Sequence, residues 1–266
     1  MLKIGDTGLE VRKLQLLLVQ NGEKLTIDGW FGIGTRDAVI AVQRRLGLVV
    51  DGVAGPKTVA ALQARVRPDR LLSMGDLARA ADRLDVPLAA IRAVNEVEAR
   101  GAGFLPDGRP KILFERHIMY RQLRERRLDA DLYARQSPKL VSTTRGGYLG
   151  GEAEHKRLAM ASAIHRDCAI EACSWGVFQI MGFHWQALGY SSAEDYAARM
   201  SRSEAEHLDA FVRFIEADRN LLKALRTGKW ATFAAGYNGA AYKENLYDIK
   251  LARAFERYSE SEELVA

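Results

Sequence analysis

Two glutamates spaced two apart, Glu96 and Glu98, stand where an apolar helical stripe runs out. From Asp85 the chain reads as a helix, with Asp85 as its cap, Pro87 in the first turn, and Gly101 and Gly103 ending it. Leu88, Ile91 and Val94 mark the buried stripe. At roughly 100° per residue, Glu98 falls about 20° from Ile91 and about 40° from Val94, whereas Glu96 falls about 200° from Glu98. The spacing therefore predicts Glu98 facing inward and Glu96 facing solvent. An inward carboxylate near a helix C-terminus is disfavoured as an anion by desolvation and by the negative end of the helix dipole. A carboxyl kept protonated in this way is a general acid, able to donate to a departing glycosidic oxygen. The same residues also fit a buried structural pair between Glu98 and Arg109 or Arg116.

The elements that would position such an acid belong to a chain of 266 residues, 48% hydrophobic and 27% charged, which is globular in composition. No apolar run approaches the roughly 18 residues of a membrane span, and Met1–Asp6 lacks the apolar core of a secretory signal. The expectation is a chain made in the cytoplasm. Two cysteines, Cys168 and Cys173, exclude a disulfide-dense scaffold and a four-thiolate zinc site. Net charge is +5, and residues 1–70 hold 11 basic against 7 acidic side chains. The stretch from Arg109 to Arg127 holds 7 basic against 2 acidic. Such patches attract anionic surfaces. No helix-turn-helix, zinc-finger or aromatic-basic module accompanies the charge, so no nucleic-acid partner is expected.

A repeat organises the N-terminal part. Ile27-Asp28-Gly29-Trp30-Phe31-Gly32-Ile33-Gly34-Thr35 recurs as Val50-Asp51-Gly52-Val53-Ala54-Gly55-Pro56-Lys57-Thr58. Each copy reads as an Asp-Gly turn feeding a helix, one carrying Ala38, Val39, Val42 and Leu46 and the other Val59, Leu62 and Val66. A preceding helix bears Val11, Leu14, Leu17 and Leu18 on one stripe, which completes three short helices. Pro68 breaks the chain within Arg65–Asp69. The division expected is a module over 1–66, a linker over 67–71 and a second domain over 72–266.

Gly8-x-x-Val11-x-x-Leu14-Gln15, Asp28-Gly29-x-Phe31-Gly32-x-x-Thr35, Val42-Gln43 and Leu46-Gly47-Leu48-x-x-Asp51-Gly52 together resemble the three-helix peptidoglycan-binding module of wall hydrolases. The resemblance implies wall contact through Asp28, Phe31, Thr35, Asp51 and Thr58, with the glycines shaping turns. Further on, Val97-Glu98-Ala99-Arg100-Gly101-Ala102-Gly103-Phe104 and Gly108-Arg109-Pro110-Lys111-Ile112-Leu113-Phe114-Glu115-Arg116-His117 resemble the N-acetylmuramidase domain of modular phage endolysins. Ser174-Trp175-Gly176-Val177-Phe178-Gln179-Ile180-Met181 and Ala234-Ala235-Gly236-Tyr237-Asn238-Gly239 are similar to segments of goose-type lysozymes and lytic transglycosylases. One departure is Ala99, where relatives often carry Ser, which bears on local hydrogen bonding and not on the acid.

The resemblance implies a mainly α protein, a three-helix module joined to a lysozyme-like α+β domain with a small β lobe near Lys111–Glu115 and Ser174–Met181. It implies hydrolysis of the β-1,4 bond between N-acetylmuramic acid and N-acetylglucosamine, with Glu98 as proton donor and no metal or other cofactor. Gln179, Tyr237 and Asn238 would line the cleft and hydrogen-bond sugar substituents. Glu115 and Glu171 are the candidates for a second carboxylate, whose distance from the acid separates inverting from retaining chemistry. Without one, transglycosylation with release of an anhydro-sugar is the rival reaction. A wall-anchoring protein without activity is the rival outside enzymology. The partner implied is bacterial peptidoglycan, met by a monomer. A phage enzyme made in the host cytoplasm and acting on the wall is the setting implied, with Arg109–Arg127 available to anionic envelope components.

Other features point to structure. His155, His165, Cys168 and Cys173 match no zinc spacing, and the cysteines read as buried small hydrophobes. Arg116–Arg127 reads as a helix with one packed and one basic face. Ala205–Ala217 and Asp248–Tyr258 carry core stripes, and the acidic tail Ser259–Ala266 is expected to fray.

Overall fold

The structure, a computed structural model, describes residues 1–65, 68–99 and 101–263. Val66 and position 67 of the expected linker, Arg100, and the last three residues of the tail lie outside the described residues. In chain order the elements are α1 (Leu9–Gln20), α2 (Ile33–Arg45), α3 (Pro56–Ala64), α4 (Met74–Leu84), α5 (Leu88–Glu98), β1 (Ile112–Phe114), α6 (Arg116–Glu125), α7 (Ala130–Gln136), α8 (Glu152–Ser162) and α9 (Arg166–Glu171). They continue with β2 (Cys173–Trp175), β3 (Ile180–Met181), α10 (Ala193–Met200), α11 (Glu204–Ala217), α12 (Arg219–Arg226), α13 (Trp230–Asn238) and α14 (Tyr247–Glu263). The chain is mainly α-helical with one small sheet. Two units divide it: Met1–Ala102 together with Gly228–Ala266, and Gly103–Thr227. No helix among the described residues is long and apolar enough to cross a membrane.

In the first unit, α1, α2 and α3 enclose Val11, Leu14, Leu18, Phe31, Val39, Val42 and Leu62. Each repeat is built around a buried glutamine. Gln15 Nε2 donates to Asp28 Oδ1 (2.8 Å), Thr35 Oγ1 (3.0 Å) and the Trp30 carbonyl (3.1 Å), while Gln15 Oε1 accepts from the Gly29 amide (2.8 Å). Gln43 repeats the pattern with Asp51 Oδ1 (2.7 Å), Thr58 Oγ1 (3.2 Å) and the Val53 carbonyl (3.1 Å), and accepts from Gly52 (2.9 Å). A primary amide has the donors and acceptor to tie several polar groups of one turn together at once. This corrects the wall-contact expectation for Phe31, Thr35 and Thr58, which are buried and so present no surface to a polymer. Asp28 and Asp51 are exposed, but each spends Oδ1 on its own turn.

The rest of the first unit is α4, α5, α13 and α14. Ser73 and Asp76 form a capping box at the start of α4. Asp85 does not cap α5: it ends α4 in the left-handed conformation at φ 54°, and Pro87 occupies the N-cap of α5 without a side-chain bond. Short aspartate tolerates that conformation better than most side chains. Ala89, Ala90 and Ala93 alternate with Ile91, Val94 and Val97 on the buried face of α5, which lets α14 approach closely. Helix α14 runs through Glu263, so the described part of the acidic tail is helical.

The second unit carries the sheet in the order β1-β2-β3, antiparallel throughout, with Ile112 opposite Trp175 and Trp175 opposite Ile180. Beneath it α8 presents Glu154 and Arg157, both buried and 2.8 Å apart. Glu154 accepts from the amides of Phe114 (3.1 Å), Leu149 (2.6 Å) and Gly150 (2.9 Å), and Arg157 donates to the carbonyls of Phe114 (2.9 Å) and Lys139 (3.0 Å). One ion pair thus ties β1 to the glycine-rich segment 146–151. Burial opposes ionisation of Glu154, but the three amides and Arg157 outweigh it and hold the carboxyl below its ordinary range.

Both cysteines are buried, and burial raises the Cys168 thiol to about 11 and the Cys173 thiol well above its usual value. The thiolate is the reactive form. Native protein at pH 8 is therefore expected to leave both thiols unlabelled by a thiol reagent over the time in which urea-unfolded protein yields two; fast native labelling of either would contradict the packing.

Candidate active site

Glu98 is the last residue of α5, with Ala99 as its C-cap, and it is half-buried on the inward side of the helix. Its Oε2 accepts from Asn238 Nδ2 at 3.0 Å. Asn238 closes α13, where Gly239 at φ 79° takes the chain away and leaves the amide at the helix end. One residue earlier stands Tyr237, half-buried and stacked on Phe233 with ring centroids 5.9 Å apart. Burial, reinforced by the negative charge of Glu98 and then Tyr247, pushes the Tyr237 phenol well above its ordinary value, so it is a neutral donor. Glu98, Tyr237 and Asn238, separated by some 140 positions, are brought to one place.

Glu96 takes the opposite side of α5. It is exposed and accepts from Arg257 Nη2 (2.5 Å) and Tyr258 Oη (2.6 Å), while Arg92 lies over the Tyr258 ring at 4.0 Å. Its role is to fasten α14 to α5. Arg109 and Arg116, the alternative partners for Glu98, are engaged otherwise. Arg109 holds Asp107 through Nε (2.8 Å) and Nη2 (2.5 Å), and Arg116 donates to the carbonyls of Thr144 (2.8 Å) and Arg145 (3.0 Å).

The remaining expected residues lie in the second unit. Glu171 is buried, its Oε1 accepting from Arg126 Nη2 (2.7 Å) and Trp185 Nε1 (2.8 Å). That corrects its candidacy as a second carboxylate: shut off from solvent and matched to a guanidinium, it has no route to an attacking water. Glu115 caps no amide of α6 with its side chain; instead both oxygens accept from the Tyr148 hydroxyl at 2.9 Å, and His117 Nδ1 lies 3.1 Å from Oε2. Burial lowers the His117 imidazole, although Glu115 pulls the other way. Tyr148 was not legible as a partner, although its flanks, Gly146-Gly147 and Gly150-Gly151, single it out as the one large polar side chain of a glycine-rich loop.

Gln179 departs from its expected role. It adopts φ 53°, rare for a residue with a side chain, and spends both ends of its amide on its own hairpin: Nε2 donates to the Gly176 carbonyl and Oε1 accepts from Ser174 Oγ, each at 2.7 Å. Gly176 must be glycine, because a Cβ there would meet the His207 ring at 2.5 Å. His207 in turn accepts from the Val177 amide at Nδ1 (3.2 Å) and donates from Nε2 to the Met200 carbonyl (2.7 Å). His155 bonds the Pro110 carbonyl (2.8 Å) and His165 accepts from the Cys168 amide (3.3 Å). Among the described residues no group of three or more His, Cys, Asp or Glu could hold a metal.

Comparison with known proteins identifies the family. Residues 87–259 match the model of the N-acetylmuramidase family, and residues 7–62 match that described as "Putative peptidoglycan binding domain". Over 66 residues the chain is 42% identical to a "Probable N-acetylmuramoyl-L-alanine amidase" of Bacillus licheniformis, covering 24% of this chain and 19% of the relative. Over 57 residues it is 44% identical to the "Zinc D-Ala-D-Ala carboxypeptidase" of Streptomyces albus G, covering 20% and 22% respectively. The chain thus spans about a fifth of each of these curated relatives. A solved structure, that of the Burkholderia AP3 phage endolysin, is 59% identical with a TM-score of 0.92, covering 97% of this chain and 99% of that one. With a family model over well more than half of its length and a solved endolysin matched nearly end to end, this chain belongs to the N-acetylmuramidase family.

Proposed function

We propose that this peptidoglycan glycoside hydrolase cleaves the β-1,4 bond between N-acetylmuramic acid and N-acetylglucosamine with Glu98 as general acid. The observation that carries the reading is the meeting of the inward carboxyl ending α5 with Asn238 Nδ2 at 3.0 Å, beside the neutral phenol of Tyr237. Asn238 Nδ2 orients one oxygen of the carboxyl, and the helix end favours the protonated acid. Protonation of the leaving oxygen from this position is the step asked of it. Tyr237 and Asn238 bind sugar substituents, and Gln179 serves by holding its hairpin.

The module over 1–66 holds the enzyme on the wall and raises its local concentration there, and residues 72–266 carry the chemistry. The enzyme acts as a monomer, made in the host cytoplasm. Contact with anionic envelope components falls to Lys111, Arg121, Arg124 and Arg127, which are exposed, because Arg109, Arg116 and Arg126 have internal partners. Mass spectrometry of products from purified peptidoglycan tests the reaction. Saccharides with reducing ends are expected; anhydro ends would replace hydrolysis by transglycosylation, and an undigested wall would leave a binding protein.

A further inference from the structure

The two Asp-Gly turns share an interior and differ at the surface, so each serves as a control for the other. One helical turn before the buried glutamine stands Arg12 in the first copy and Ile40 in the second, and two residues after the aspartate stands Trp30 in the first and Val53 in the second. Both copies make the same bonds to their glutamine, so the turn requires neither the arginine nor the tryptophan. Arg12 is exposed, its stem lying across Gly29 where a Cβ would come within 2.9 Å of Nε, and among the described residues its guanidinium makes no hydrogen bond or ion pair. Trp30 is 59% exposed, yet its ring is not loose: it lies over Gly32, whose missing side chain leaves the space. Leu9, 67% exposed, faces the same groove of about 490 Å³. Hydrogen bonds from Gln15 and the Trp30 amide, with a lesser contribution from Arg12, keep the Asp28 carboxyl low, so it is an anion in neutral solution.

This groove therefore presents a free guanidinium, a carboxylate and two apolar walls. A neutral glycan has no use for the charges, whereas the fixed charges of peptidoglycan sit on its stem peptides, as free carboxylates and the ammonium of the diamino acid. We propose that the groove binds the stem peptide, with Arg12 taking a carboxylate, Asp28 the ammonium, and Leu9 and Trp30 the apolar stem between them. The proposal rests on the wall-binding reading of the module and narrows it from wall to peptide.

The test uses the full chain carrying Glu98→Gln, so that the polymer survives, in co-sedimentation with purified sacculi and with glycan strands stripped of peptide by an amidase. Arg12→Ala, by loss of one charge-assisted contact, or Trp30→Ala, by loss of an apolar wall, is expected to weaken binding to intact sacculi about tenfold. Neither substitution should alter binding to stripped strands. A soluble stem tetrapeptide should displace the parent and not the Arg12 variant. Stripped strands bound as tightly as intact sacculi, or sacculi bound unchanged by both variants, would overturn the peptide site while leaving the wall-binding module standing. Failure of the parent to sediment with either polymer would instead remove the module's function itself. The Arg12 and Trp30 side chains lie at the surface and take no part in the turn's hydrogen bonds, and unchanged helical circular dichroism would separate lost contact from lost folding.

Discussion

Glu98→Gln is expected to slow the lysis of purified peptidoglycan by about 10³-fold, within the 10²–10⁴-fold range that positioned acid catalysis supplies. That corresponds to about 4 kcal/mol of barrier. Glutamine keeps the volume and can still accept from Asn238 Nδ2, so folding and wall binding should persist while the transferable proton is gone. The contrast is Glu96→Gln, two residues away. Glu96 is exposed and serves Arg257 and Tyr258, so its loss should leave the rate within about twofold and lower stability by at most about 1 kcal/mol. Turbidity assays on both proteins decide the matter: an active Glu98 variant, or an inactive but folded Glu96 variant, would reverse the assignment.

The second large effect concerns stability. Glu154→Gln is expected to destabilise the second unit by about 3 kcal/mol, because Arg157 is left as a buried charge with reduced compensation. Its pH dependence has a definite sign. The Glu154 carboxyl is held below its unfolded value, so its contribution is fully present above the unfolded pKa, near about 4, and is lost as pH falls through the folded one. Wild-type protein should therefore lose stability on acidification below about pH 4 more steeply than the variant, by up to one proton. Replacing both partners with leucine should not rescue the fold, since the amides of Phe114, Leu149 and Gly150 would lose their acceptor. Urea titrations monitored by circular dichroism between pH 3 and pH 7 measure all three proteins. Equal stability of wild type and Glu154→Gln at neutral pH would show that the pair does not support β1 and its loop.

Local periodicity was enough to orient α5. Eleven residues with apolar positions at helical spacing fix which side of the helix is buried, and that alone distinguishes Glu98 from Glu96. The repeat likewise announced its turns, since Asp-Gly chemistry is set by backbone preference within a few residues. What periodicity left open was the destination of each polar side chain. Glu115, Glu171 and Gln179 stand in equally suggestive motifs, yet one faces Tyr148, one is buried against Arg126 and Trp185, and one closes its own hairpin. Their partners lie 33, 45, 14 and 5 positions away, and no local rule selects among such distances. Asp85 is ambiguous for a related reason: a short polar residue between two helices can end one or begin the next, and only the φ of 54° decides. Phe31, Thr35 and Thr58 were likewise legible as a motif but not as an interior, because burial is a property of the packed helices around them. The sequence by itself determined the three helices of the module, α5, the two Asp-Gly turns and which of the two glutamates faces inward, all consequences of neighbours along the chain. The tertiary structure alone decided that Asn238 meets Glu98 across 140 positions and that Arg12 keeps an unspent guanidinium, because both depend on which surfaces pack together.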